Sequence, residues 1–179
     1  MKYPSRIFLV GFMGTGKTVV GKNLAKKLKM KFIDVDVKIE NKTGKTVDRI
    51  FKEDGEKRFR KYETEVLKEL VKNNNIVVAT GGGIALSLFN RRLMKKKGIV
   101  IGLSASASEI LKRVRKETHR PLLEGHDKFN RIKELFKKRK KYYNEVSDCI
   151  IDTDNLSVKK ITSSILNSLR SIPEFQGSS

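Results

Sequence analysis

The segment Gly11-Phe12-Met13-Gly14-Thr15-Gly16-Lys17-Thr18 constrains this chain more than any other part of it. It fits the pattern G-x-x-x-x-G-K-[ST], and its flanks supply the context that the pattern requires. The apolar run Ile7-Phe8-Leu9-Val10 precedes it and reads as a buried strand. An amphipathic stretch from about Gly16 to Leu28 follows and reads as a helix. Glycines at such a turn let the backbone curl until several N–H groups converge on an anion, and the positive end of the following helix adds to the field. A nucleotide's phosphate chain suits that cradle. Gly14, Thr15, Gly16, Lys17, Thr18 and Val19 are its expected contacts, with Lys17 a point charge on the β- and γ-phosphates and the Thr18 hydroxyl a ligand for Mg²⁺. The alternative is a glycine-rich turn that binds nothing.

Beyond the loop, short apolar runs alternate with longer amphipathic ones. Phe32-Ile33 (ending at Asp34), Ile76–Ala79, Ile99–Leu103 and Cys149–Ile151 join Ile7–Val10 as strand candidates. None shows polar alternation, so all are expected to be buried on both faces. Helical spacing covers about Gly55–Val71, Leu88–Met94, Ala107–Lys116, Asp127–Val146 and Val158–Leu169. Strand–helix alternation predicts an α/β fold: a parallel sheet with helices on both faces, in three layers. Two segments stand outside the alternation. Residues of about 36–70 hold several helices, and residues of about 113–128 carry Arg120-Pro121 and Gly125 inside a helical pattern. Both are expected to be mobile parts at the C-terminal edge of the sheet, where ligands bind in such folds.

The length of 179 residues suits one domain with one sizeable core. The balance of 40 Lys+Arg against 20 Asp+Glu gives a formal net charge of +20. Such a charge is compatible with a polyanionic partner, but the basic residues are scattered over almost every segment, as on a lysine-rich surface. One cysteine, Cys149, excludes an intrachain disulfide, and its apolar neighbours predict a buried, inert thiol. No secretory apolar core is visible, and no apolar run approaches the ~20 residues that span a bilayer. A cytoplasmic protein without membrane attachment is expected. Residues 173–179 read as a disordered tail or an expression remnant.

Other positions bear on an acceptor. Asp34 and Asp36 close the second strand candidate, and on an extended chain their carboxylates would point to one side. There one could hold a magnesium-bound water while the other reached an acceptor hydroxyl. The alternative is a solvated pair or a helix N-cap. Arg60 and Glu63 in Phe59-Arg60-x-x-Glu63 share a helix face, as a surface ion pair or as a guanidinium aimed at a substrate carboxylate. Thr80-Gly81-Gly82-Gly83 follows the third strand, where many P-loop ATPases carry an acidic residue instead. That difference counts against helicase-like and transporter-like ATPases. Arg120 in Arg120-Pro121-Leu122-Leu123 could fold over a transferring phosphoryl group. Arg139 and Tyr143 are one helical turn apart, within and just beyond the basic run Lys137–Lys141, itself readable as a nucleic-acid patch or a solvated face.

In order and spacing these pieces resemble the shikimate kinase family, from about Arg6 to about Leu169: the P-loop, D-x-D, F-R-x-x-E, G-G-G after a strand, R-P-L-L, and R-x-x-x-Y. The resemblance implies a five-stranded parallel sheet in a three-layer P-loop fold, within a single domain over 1–172. Its substrate-binding segment would span about 34–70 and its mobile lid about 113–128. It implies ATP and shikimate as substrates, Mg²⁺ as cofactor, a product on the route to chorismate, and a monomer with no specific nucleic-acid partner. Residue by residue, Asp34 would hold Mg²⁺ through water together with Thr18. Asp36 would bond the acceptor hydroxyl and take its proton. Arg60, Gly81, Gly82, Gly83 and Arg139 would bind shikimate, with Glu63 orienting Arg60. Lys17, Asp36 and Arg120 would be catalytic, and Arg113 and Arg120 would face the nucleotide. Lys140-Lys141-Tyr142 stands where the family often has Pro, and Asp152-Thr153-Asp154-Asn155 has no decisive match on the adenine side. A gluconate-kinase-like enzyme with a different acceptor, and a basic nucleic-acid-binding P-loop protein, are the rival readings.

Overall fold

Residues 3–114 and 128–172 are described by a computed structural model of the chain. Strands β1 (Arg6–Gly11), β2 (Lys31–Asp34), β3 (Ile76–Ala79), β4 (Ile99–Ser104) and β5 (Cys149–Asp152) form one sheet in the order β2-β3-β1-β4-β5. Every neighbouring pair is parallel. Leu9 pairs with Ala79 on one side and Ile101 on the other, which brings the C-terminal ends of the three central strands to one edge.

Alternate side chains of the central strands feed two cores, as period-2 geometry requires. Ile7, Leu9, Val77, Ile99 and Ile101 pack with Val20, Leu24 and Ala25 of α1 (Lys17–Leu28) and Ile161, Ile165 and Leu169 of α8 (Val158–Ser171). Phe8, Val10, Val78 and Val100 face the larger core. It takes Val66, Leu67 and Leu70 from α4 (Gly55–Leu70), Met94 from α5 (Leu88–Lys97), and Tyr143 and Val146 from α7 (Lys128–Val146). Each such Val, Leu, Ile or Phe contributes roughly 1.5–3 kcal/mol by leaving water. The expected three layers are therefore present.

Burial on both faces holds for β1, β3 and β4 but not for the outer strands. In β2, Lys31 is exposed and the rest half-buried; in β5, Ile150 is exposed. An edge strand has a neighbour on one side only, so helices cover it incompletely. Cys149 is accordingly half-buried, not buried as its apolar neighbours suggested, and desolvation raises its thiol pKa.

The segment after β2 is helical at once. Helix α2 (Val35–Thr43) starts directly behind Asp34, whose carboxylate caps it by accepting from the Asp36 N–H at 3.1 Å. Such a cap contributes about 1 kcal/mol. The expectation of two carboxylates on one extended strand is thus corrected: Asp34 ends the strand and Asp36 sits in the first helical turn. A Thr46-capped helix α3 (Val47–Glu53) and α4 follow, anchored by buried Ile39, Ile50 and Phe59. Arg113 and Val114 close α6 (Ala107–Val114). The core of the expected lid, with Arg120, lies outside the described residues, as does 173–179. Among the described residues no helix is long and apolar enough to cross a membrane.

Candidate active site

The loop between β1 and α1 adopts the conformation its glycines permit. Gly14 and Gly16 have φ of 77° and 88°, a left-handed region that strains other residues. The buried Thr15 hydroxyl donates to the Phe12 carbonyl at 2.8 Å. Lys17 does not extend into solvent. Its Nζ donates to the carbonyls of Gly11 and Phe12, each at 2.9 Å, so the ammonium is held against the loop that would receive phosphate. Val19, in the first turn of α1, is exposed.

Thr18 Oγ1 donates to Asp34 Oδ2 at 2.8 Å on the exposed rim of the loop. A hydroxyl and one carboxylate, open to water, are a donor set that fits Mg²⁺, which keeps several waters and needs few protein oxygens. Denser His, Cys, Asp and Glu clusters of metal-binding type are absent among the described residues.

Arg113 reaches the same loop from α6. Its Nη1 donates to the Gly14 carbonyl at 3.2 Å and to Thr153 Oγ1 at 3.0 Å, and its Nη2 to the Thr153 carbonyl at 2.7 Å. Glu109 takes its Nε at 2.9 Å. The Asp154 carboxylate caps α6 at the Ser106 N–H. The 152–155 loop, opaque in sequence, is thereby tied to the phosphate loop. Its Thr153 has no local signal that would have revealed it.

The second cluster centres on the three glycines after β3. Thr80 is pinned to the Leu9 carbonyl by its N–H at 3.1 Å and its hydroxyl at 2.9 Å. A Cβ on Gly81 would lie 2.5 Å from Glu63 Oε1 and 2.8 Å from Asp36 Oδ1. One on Gly83 would collide with the Arg60 guanidinium. One on Gly82 would lie 3.4 Å from the N of Met13, in the phosphate loop. The glycine triplet therefore lies between Asp36, Arg60 and Glu63 on one side and the cradle on the other.

Arg60 bonds Glu63 Oε2 through Nη1 at 2.7 Å and Glu56 Oε1 through Nη2 at 2.7 Å. The Phe51 and Phe59 rings lie 5.9 and 5.4 Å from its Cζ. Sequence reading passed over Glu56, although its i,i+4 spacing from Arg60 was a usable signal. Glu63 is fully buried, and its Oε1 accepts no hydrogen bond from the described residues. Burial pushes the Glu63 carboxyl up to about 7, against the charges of Arg60 and Arg139 and with that of Asp36. Burial works against the Arg60 cation as well, but Glu63 and Glu56 outweigh it and raise its pKa.

Arg139, on α7, is buried despite the lysines around it. Its charge acts on both Glu63 and Tyr143. The Tyr143 hydroxyl donates to the Gly82 carbonyl at 2.5 Å, and burial pushes its pKa up to about 12. So a buried and a half-buried arginine, two carboxylates and a glycine-lined backbone converge beside a phosphate cradle. Such a cluster can hold an anionic molecule and present one of its oxygens to a phosphoryl group.

Known proteins carry the same architecture. The shikimate kinase family model matches residues 13–170. A shikimate kinase of Pelotomaculum thermopropionicum is 43% identical over 164 residues, covering 92% of this chain and 95% of its own length. The solved structure of shikimate kinase from Acinetobacter baumannii in complex with shikimate has a TM-score of 0.90 at 39% identity, over 93% of each chain. A gluconokinase from Sinorhizobium meliloti gives a TM-score of 0.58 at 18% identity, over 96% of this chain and 94% of its own, a likeness of fold alone.

Proposed function

This chain belongs to the shikimate kinase family, and from that premise we propose that it transfers the γ-phosphoryl group of ATP to a hydroxyl of shikimate, giving shikimate 3-phosphate on the route to chorismate. The observation that carries the reading is the meeting of the two clusters at Gly82, 3.4 Å from the phosphate loop at its Cβ position. That approach sets the proposed acceptor cluster beside the phosphate loop.

Phosphoryl transfer has a loose transition state, so positioning and charge stabilisation dominate. Lys17 would exchange the carbonyls of Gly11 and Phe12 for phosphate oxygens. Thr18 and, through water, Asp34 would hold Mg²⁺, which when bound neutralises charge on the phosphates. Asp36 would accept the acceptor's hydroxyl proton as that oxygen bonds to phosphorus and ADP leaves with the electron pair of the broken P–O bond. Arg60 and Arg139 would grip the acceptor carboxylate, with Glu63 holding Arg60 in aim. Gly81, Gly82 and Gly83 give the acceptor close access to backbone. Gly14–Val19 and Arg113 line the nucleotide side, and Arg120 would close over the phosphates from the lid. We read 1–172 as one domain of a cytoplasmic monomer without a nucleic-acid role, which light scattering and salt-dependent RNA or DNA titration would test.

The deciding experiment follows ADP release with ATP, Mg²⁺ and either shikimate or gluconate. Shikimate-dependent release supports the reading. Release with gluconate alone would move the chain to the rival acceptor class.

A further inference from the structure

Three consecutive glycines form the backbone least able to hold its own shape, since each has more conformations to lose than any other residue. Yet Gly81–Gly83 lies where an acceptor must be held to a few tenths of an ångström. Its order has to come from outside the triplet. One end is held by Thr80, bound to the Leu9 carbonyl. The other end runs into the 3-10 turn Ile84–Leu86, held from α5. There Asn90 Nδ2 donates to the Ile84 carbonyl at 3.3 Å, and Arg91 Nη1 donates to the carbonyls of Ala85 at 2.7 Å and Leu86 at 3.2 Å. The middle is held from α7 by the Tyr143 hydroxyl on Gly82.

We propose that Tyr143 is a positioning residue for the acceptor, its hydroxyl fixing the Gly82–Gly83 peptide in the orientation that receives shikimate. This rests on the reading that the acceptor binds among Asp36, Arg60 and Gly81–Gly83. The ring of Tyr143 belongs to the larger core, a task phenylalanine would perform equally well. The hydroxyl is what needs explaining, because a buried hydroxyl costs stability unless it finds a partner. It donates to one particular carbonyl, that of Gly82, with the Arg139 guanidinium also bonded to its oxygen. The Gly82–Gly83 peptide is trans, so the Gly82 carbonyl and the Gly83 N–H point in opposite directions. A donor on α7 that holds the carbonyl therefore turns the Gly83 N–H away from α7. A Cβ on Gly83 would meet the Arg60 guanidinium, so the peptide that carries this N–H borders the acceptor cluster. The high pKa keeps the phenol a donor at any working pH. Arg139 sits one turn earlier on the same face, so a single stretch of α7 supplies both a charge for the acceptor and the brace for the backbone beneath it.

The test is Tyr143→Phe beside the wild-type enzyme, with KM for shikimate and ATP, kcat, calorimetric shikimate affinity and Tm. The expected result is a rise of about tenfold in both the shikimate KM and its Kd, with kcat and the ATP KM changed less than about twofold. An unchanged shikimate KM overturns the proposal. So does an equal rise in both KM values with a large drop in Tm, the pattern of general loosening. If wild-type protein ignores shikimate, the functional reading falls and takes this proposal with it; failure confined to the variant removes the proposal alone. Should the variant not fold, the amide resonance of Gly83 in wild-type protein is the measure. It is expected to shift on shikimate addition, and a stationary resonance overturns the proposal.

Discussion

On the proposed donor side one short loop supplies the groups: glycines at positive φ, a lysine folded onto the loop's carbonyls, and a threonine at the head of α1. On the proposed acceptor side the groups come from Asp36, Arg60, Glu63, Gly81–Gly83, Arg139 and Tyr143, on four separate elements. The donor cradle works through the backbone dipoles of one loop and a buried lysine held on that loop's carbonyls. The acceptor cluster joins the buried Glu63 and Arg139 to the half-buried Asp36 and Arg60, charges from separate elements that depend on one another for compensation. Damage should therefore look different in the two places. A donor lesion should strike chemistry and leave the fold intact. An acceptor lesion should alter substrate affinity, stability or both.

The largest expected effect belongs to the donor side. Lys17→Met should lower turnover by about 10³-fold or more, with an unchanged circular dichroism spectrum. A variant retaining a tenth of the activity would remove Lys17 from the transition state. Next is Asp36→Ala, which tests where the two sides join. Turnover should fall about 10²-fold while ATP affinity, measured by calorimetry, stays nearly constant. Loss of ATP binding would place Asp36 on the donor side and break the contrast. Arg60→Lys should raise the shikimate KM about tenfold, because a point charge cannot replace a fork already shared with Glu63 and Glu56. An unmoved KM would take Arg60 out of the carboxylate site.

The smallest effect concerns stability. The Glu63 carboxyl is raised from 4.5 to about 7 in the folded protein, with burial the leading cause. A raised carboxyl stabilises the fold while it is protonated. That contribution is complete below about pH 4.5, falls as pH rises towards 7, and is gone above it. The shift sets a ceiling of roughly 3 kcal/mol. Glu63→Gln cannot lose the proton, so its Tm should decline less than the wild type's between pH 5 and pH 7.5. Parallel Tm profiles would show that Glu63 is already charged in the fold.

Legibility in the sequence followed the same division. The cradle could be read because its determinants are contiguous and flanked by a strand and a helix. The strand Ile76–Ala79 was equally plain, since an unbroken apolar run ends there at Thr80 and the glycines. Where local rules compete, reading along the chain goes astray. Asp34-Val35-Asp36 fits a strand end, but an aspartate before a helical pattern is also a strong cap, and the cap won. The apolar triplet in β5 looks fully buried until its place at the sheet edge is known. The meeting of Gly81 with Asp36 and Glu63, and of Tyr143 with Gly82, is set by how strands and helices stack, so no local pattern records it. A partial clue lay in the run Lys137–Lys141: an arginine and a tyrosine one turn apart, both turned inward from a lysine-covered helix.

The glycine triplet also limits how this protein could acquire a new acceptor. At position 81 any side chain would land on two carboxylates, and at position 83 on a guanidinium. Neither position offers a small first step towards another substrate. Substitutions that reshape the proposed acceptor site have more room on α4 or α7, where Arg60, Glu63 and Arg139 can change one at a time. For directed evolution, a library randomised over those helices should yield active variants, while one randomised over 81–83 should yield mostly dead ones.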